Sequence, residues 1–160
     1  MSDYEKLLEI YKKSAILESV AEVLEWDQEV MMPEGALPVR TQQSATIAAL
    51  GHDILTCDKM NELLVSIEKE ELDYDQAANV REIQRNYKRH KKVPNELVHE
   101  LQETRIRGVE SWKAARKKND FGLFLPHLRK VFALSGKVAE CIDPNRHPYE
   151  VLLESYEQDL

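Results

Sequence analysis

Apolar and small residues recur at Leu7, Ile10, Ser14, Leu17, Ala21 and Leu24, in steps of three and four that put them on one side of a helix. Upstream, Ser2-Asp3-Tyr4-Glu5 has the form of a capping box, in which the serine hydroxyl accepts from the third helical amide and Glu5 reaches back to the serine amide. The pattern therefore predicts a long first helix from Ser2 to near Met31. It stops there because Pro33 disfavours helical geometry in the residue before it and Gly35 follows. Ile16, Val20 and Val23 lie off the main stripe, so this helix is apolar on more than one side. The fifth and sixth helices can cover one side, and the other needs a second chain or the second and third helices.

The same reasoning divides the rest of the chain. Pro38 suits the first turn of a second helix carrying Ile47, Ala48 and Leu50, which ends at Gly51 or runs on to Leu55. Asp58 can cap a third helix with Met60, Leu63, Leu64 and Ile67, and Asp73 a fourth through Ala77, Val80, Ile83 and Tyr87. Val93-Pro94 ends that helix and opens a fifth, with Leu97, Leu101, Thr104, Gly108, Trp112 and Ala115 on one stripe. Asn119 tolerates the left-handed position that closes a helix, and Asp120 can cap the next. Pro126 is expected to begin the main sixth run, whose apolar residues are Leu128, Val131, Phe132, Leu134, Val138 and Ile142. After the Asp143-Pro144-Asn145 turn, Pro148 to Tyr156 forms a last short helix. Sustained two-residue alternation is absent. The predicted fold is all-α, an antiparallel helical bundle of about six to seven helices with no sheet, filling residues 1–160 as a single domain.

Composition agrees with a folded chain: of 160 residues 42% are apolar and 32% charged, with 5 Gly and 6 Pro, which is not the signature of a disordered segment. No stretch reaches the run of roughly 20 apolar residues that a membrane span needs, and the N-terminus is polar, so a cytoplasmic protein without a membrane partner is expected. Cys57 and Cys141 lack metal-type spacing and are read as free thiols. The net charge of -7 is uneven. From Arg81 to Lys118 there are 12 Lys/Arg and 5 Asp/Glu, a local +7 that leaves -14 elsewhere. A basic middle is compatible with nucleic acid, but solvated helix faces have the same composition and the aromatic interleaving of RNA-binding sheets is missing, so no nucleic-acid partner is expected.

Candidate chemistry is sparse. His99-Glu100-Leu101-Gln102-Glu103 is one residue from the H-E-x-x-H zinc motif, but Glu stands where the second imidazole is needed, and no third ligand is in view. Glu96 and His99 make a single E-x-x-H element where helical di-iron sites need two. His52, His90, His127 and His147 form no i, i+4 pair. No catalytic, cofactor-binding or metal-binding residue is therefore assigned to this chain. The less common feature is aromatic: Trp26-Asp27-Gln28-Glu29 at the end of the first helix is followed by Met31-Met32-Pro33. Trp26, Asp27, Met31 and Met32 either gather as a hydrophobic plug that closes a helical corner, which is the expected arrangement, or present a contact surface for another domain or a substrate.

At this corner the sequence resembles the carboxypeptidase Taq family of metallocarboxypeptidases. The residues that carry the likeness are Trp26-Asp27-Gln28-Glu29, Met32-Pro33, Gly35-Ala36, Arg40 and Gln43. Further matches follow in order at Asn79 to Glu82, Tyr87, Val93-Pro94, Trp112, Ala115-Arg116, Asn119-Asp120-Phe121, and Pro148-Tyr149 with Leu152-Leu153 and Tyr156-Glu157. Gln158-Asp159 departs from the Pro-Gly that many members have. The resemblance implies the N-terminal region of a longer all-helical enzyme, with zinc bound by an H-E-x-x-H motif and a downstream Glu that are absent here. It also implies a missing catalytic region as natural partner, a role for these helices as wall or lid of a cleft, and a possible homodimer. A free-standing helical binding or dimerisation module is the alternative.

Overall fold

The computed structural model describes residues 2–157. Gln158-Asp159, the departure from the family pattern, lies outside the described residues. Seven α-helices and one short 3-10 turn, and no strand, occur among the described residues: α1 (Asp3–Val30), the turn Glu34–Ala36, α2 (Leu37–Leu55), α3 (Asp58–Ile67), α4 (Tyr74–His90), α5 (Asn95–Lys118), α6 (Phe121–Ile142) and α7 (Pro148–Leu153).

Local signals fix most boundaries. The Ser2 and Glu5 capping box forms, with bonds of 2.8 and 3.1 Å, and α1 ends at Met31 two residues before Pro33. Asp73 and Gln76 make a second capping box at α4. Asn119, with φ 52 and ψ 39, closes α5 in the left-handed conformation, and Asp120 accepts from the Gly122 amide to start α6. This cap moves the start of α6 upstream: Pro126 does not begin the helix but lies inside it. Two further expectations change. Asp58 is the first residue of α3 rather than its cap, which is Cys57, and α7 ends at Leu153 instead of reaching Tyr156.

The helices pack as a row. The short turn at Pro33 folds α2 back on α1, so that Ser14 on α1 donates to the Gly51 carbonyl on α2. α2 packs in turn on α5, where Asn95 bonds Asp53, and α5 pairs with α6, where Ser111 donates to the Leu123 carbonyl. Because α2 fills the position beside α1, the neighbours of α1 are α2, α3 and α4. The expectation that the fifth and sixth helices cover it is overturned. α3 and α4 close one end, burying Leu7, Leu55, Met60, Leu63, Leu64 and Ile67 together with Ile83 and Tyr87. Lys91 and Lys92 donate to the carbonyls of Thr56 and Ile142, at the C-terminal ends of α2 and α6, where unpaired carbonyls favour a cation.

Candidate functional site

The corner between α1 and α2 is held by Arg40. Its guanidinium donates to the Leu24 carbonyl and the Asp27 carboxylate, and its Nε donates to Gln43. Asp27 therefore has a structural partner on the next helix. Trp26 does not plug the corner: it is 59% exposed, as Met31 is 66%, while Met32 is half-buried. The reason is angular. Gln28 is buried and Leu24 half-buried, and Trp26, two residues from each, is turned by about 200° from both at 3.6 residues per turn. Adjacency to Met31 and Met32 in the chain suggests a plug, whereas the helical wheel turns the ring outward.

Ile16, Val20, Val23 and Val30 follow one another by four, three and seven residues and are all exposed, so they extend the apolar surface from Trp26 along the outside of α1. The corner is thus apolar and open to solvent, with Lys113 reaching across from α5 to Glu29 at 3.1 Å.

The metal-like motif is dispersed. His99 is exposed, Glu100 pairs with Lys130 at 2.9 Å and Glu103 with Arg107 at 2.7 Å. The Lys130 hydrogen bond, followed by its charge, holds the Glu100 carboxyl below its ordinary value. Among the described residues no group of three or more His, Cys, Asp or Glu is placed to hold a metal ion.

Between α1, α2, α4 and α5 lies a cleft of about 620 Å³, whose lining residues share no motif in the sequence. Ser14, Leu17, Glu18 and Ala21 of α1 form one wall, and Val98, Gln102 and Arg105 of α5 the other. Ile47, Ala48 and Gly51 of α2 are its floor, and α4 closes one end with Asn86 and His90. His52, 8% exposed, shares its Nε2 with the His90 carbonyl at 3.0 Å, and His90 Nδ1 donates to the Asn86 carbonyl at 2.8 Å. A carbonyl can only accept, so His52 donates through Nε2, and its buried Nδ1 has no hydrogen-bond partner among the described residues. Burial, then the nearby His52 and Arg89, lowers the pKa of His90 against the opposing effect of the Asn86 bond and Glu18. Arg89 ties this end to the segment after α6, donating to the Val151 carbonyl, Ser155 and Glu154.

The chain belongs to the carboxypeptidase Taq (M32) metallopeptidase family, whose pattern matches residues 6–160. It is 32% identical to thermostable carboxypeptidase 1 of Thermus thermophilus over 98% of this chain and 33% of that protein. The corresponding figures for thermostable carboxypeptidase 1 of Pyrococcus furiosus are 28%, 97% and 31%. A solved structure of the Pyrococcus furiosus carboxypeptidase superposes with a TM-score of 0.78 at 27% identity, covering 100% of this chain and 32% of that one. For Trypanosoma cruzi metallocarboxypeptidase 1 the TM-score is 0.75 at 30% identity, with 99% and 32% covered. The chain spans about a third of the length of the relatives it matches.

Proposed function

We propose that this chain is the N-terminal helical part of a zinc metallocarboxypeptidase that removes C-terminal residues from peptides in the cytoplasm. In this reading the H-E-x-x-H site belongs to a catalytic region outside these 160 residues, and the helices described above form part of the wall or lid over the substrate groove. The observation that carries it is the family match over residues 6–160 combined with coverage of about a third of each relative. The exposed corner of Trp26, Met31 and Val30 supports it as well, because it supplies an apolar contact for the catalytic region.

The isolated chain is then inactive. Its purified form, supplied with zinc, is expected to retain no stoichiometric metal after dialysis and to release no C-terminal amino acid from unblocked peptides. One tightly held zinc per chain together with chelator-sensitive peptidase activity overturns the proposal.

The exposed stripe of Ile16, Val20, Val23 and Val30 favours a second reading, in which the chain associates with itself as a free-standing helical module. The two readings differ when the chain meets the catalytic two-thirds of a relative produced separately. An enzyme part binds it through Trp26 and Met31, whereas a self-sufficient dimer does not.

A further inference from the structure

The segment that follows α6 is attached to the bundle by few groups. It leaves from a fixed point, because Lys92 donates to the Ile142 carbonyl at 2.7 Å. Residues 143–147 then form a turn in which the Asn145 amide donates to the Asp143 carboxylate at 3.0 Å. α7 follows with only six residues and packs on α6. A helix that short is not stable by itself. Pro144 to Glu150 are all exposed, and within residues 144–157 Val151 alone is buried, at 1% exposure.

Arg89, in the last turn of α4, holds this segment from its other side. Its guanidinium donates to the Val151 carbonyl, to the Ser155 hydroxyl at 3.0 Å and to the Glu154 carboxylate at 3.3 Å. The Val151 carbonyl belongs to the last turn of α7, where carbonyls lack amide partners and a cation is favoured. The second oxygen of Glu154 takes Arg146 from the turn, so one carboxylate joins two arginines. Without it Arg89 and Arg146 face each other as like charges. The segment held in this way forms part of the cleft wall: Leu152, Glu154 and Ser155 line the cleft together with Asn86 and His90 of α4.

We propose that residues 144–157 form a strap across the α4 end of the cleft, pegged by Val151 and latched by Arg89, which opens as a unit while α1 to α6 stay folded. A segment with one buried side chain and an exposed turn has the low opening free energy of a local unit, whereas the core opens only with the whole molecule. Opening removes Leu152, Glu154 and Ser155 from the wall and widens the cleft beside α4. A detached six-residue helix unwinds, so its amides exchange together. The inference does not rest on the peptidase reading, because every group in it belongs to this chain.

The test is native-state hydrogen exchange of the 160-residue chain, followed amide by amide by NMR. The amides of Val151, Glu154, Ser155 and Tyr156 bond carbonyls within the strap, so their exchange reports its opening. They are expected to exchange at similar rates, at least roughly tenfold faster than Leu63, Leu64 and Ile83 of the core, by an opening that dilute urea hardly promotes. Arg89→Gln should speed the strap amides by roughly tenfold and leave the core rates unchanged. Glu154→Gln, which alters the strap and leaves α4 intact, should act in the same direction. Added salt should speed the strap in the wild type more than in Arg89→Gln, since it screens the latch. Strap amides that exchange at the core rate with the core's urea dependence overturn the proposal. So does an Arg89→Gln variant whose strap rates are unchanged, or whose strap and core rates rise together.

Discussion

Trp26 and Leu7 show how little the chemistry of a residue says without its angle on the helix. Leu7 is fully buried against α3 and α4, and Leu7→Ala is expected to lower stability by about 2–5 kcal/mol in urea unfolding. Trp26→Ala should shift the same curve by less than about 1 kcal/mol, because the larger ring is 59% exposed. A loss as large as that of Leu7→Ala would mean that the ring is packed. His90 gives a pH dependence of definite sign. Its folded pKa is lowered, chiefly by burial, so below the ordinary value near 6.5 the unfolded chain binds the proton first. Stability contributed by this group is full above that value, is lost as pH falls toward the folded pKa, and is not lost further below it. The ring keeps an exposed edge, so the loss is small. In His90→Gln the unfolding midpoint should fall less steeply between pH 6.5 and the acid limb, at about the ordinary histidine value and below. An unchanged slope would contradict this assignment.

At the scale of elements, sequence and structure agree where a boundary is set by one side chain acting on nearby backbone. Ser2, Asp73, Asn119 and Asp120 do this, and each marks a helix end in the structure. Pro126 misled because a proline in a helix can be either its first turn or an interruption of it. The Asp120 cap, a few residues upstream, decided for the latter. Asn119 offers a clean test. Asn119→Gly should be neutral or slightly stabilising, since glycine has no Cβ to strain at φ 52, whereas Asn119→Val should cost about 1–2 kcal/mol. Equal effects of the two substitutions on the thermal midpoint would show that the left-handed turn is not retained. The packing order of the elements was less legible. Nothing in the periodicity of α1 says whether α2 or α5 lies against it, and the choice follows from the short turn at Pro33, which leaves α2 no other place.

For the whole molecule, the site features divide the same way. The Trp26 to Met32 corner was visible because it is contiguous in sequence, though its exposure was not. The cleft was invisible because Glu18, His52, His90 and Arg105 come from four different helices and share no motif. The outer face of α1 remains apolar at Ile16, Val20, Val23 and Val30. Sedimentation equilibrium of the chain by itself should therefore reveal concentration-dependent association that Val23→Glu weakens. A strictly monomeric chain that binds no hydrophobic dye would show this face to be self-sufficient.

The central claim is that these helices are one third of an M32 peptidase, and the mass of the native polypeptide that carries this sequence tests it most directly. The 160 residues weigh 18.6 kDa and correspond to 33% of the Thermus thermophilus relative, so 18.6/0.33 predicts roughly 56 kDa. Mass spectrometry of protein captured from its native cells with an antibody to this chain is expected to find that larger species, with peptides containing H-E-x-x-H. Capture of an 18.6 kDa polypeptide alone, with no longer form carrying the sequence, would contradict the account.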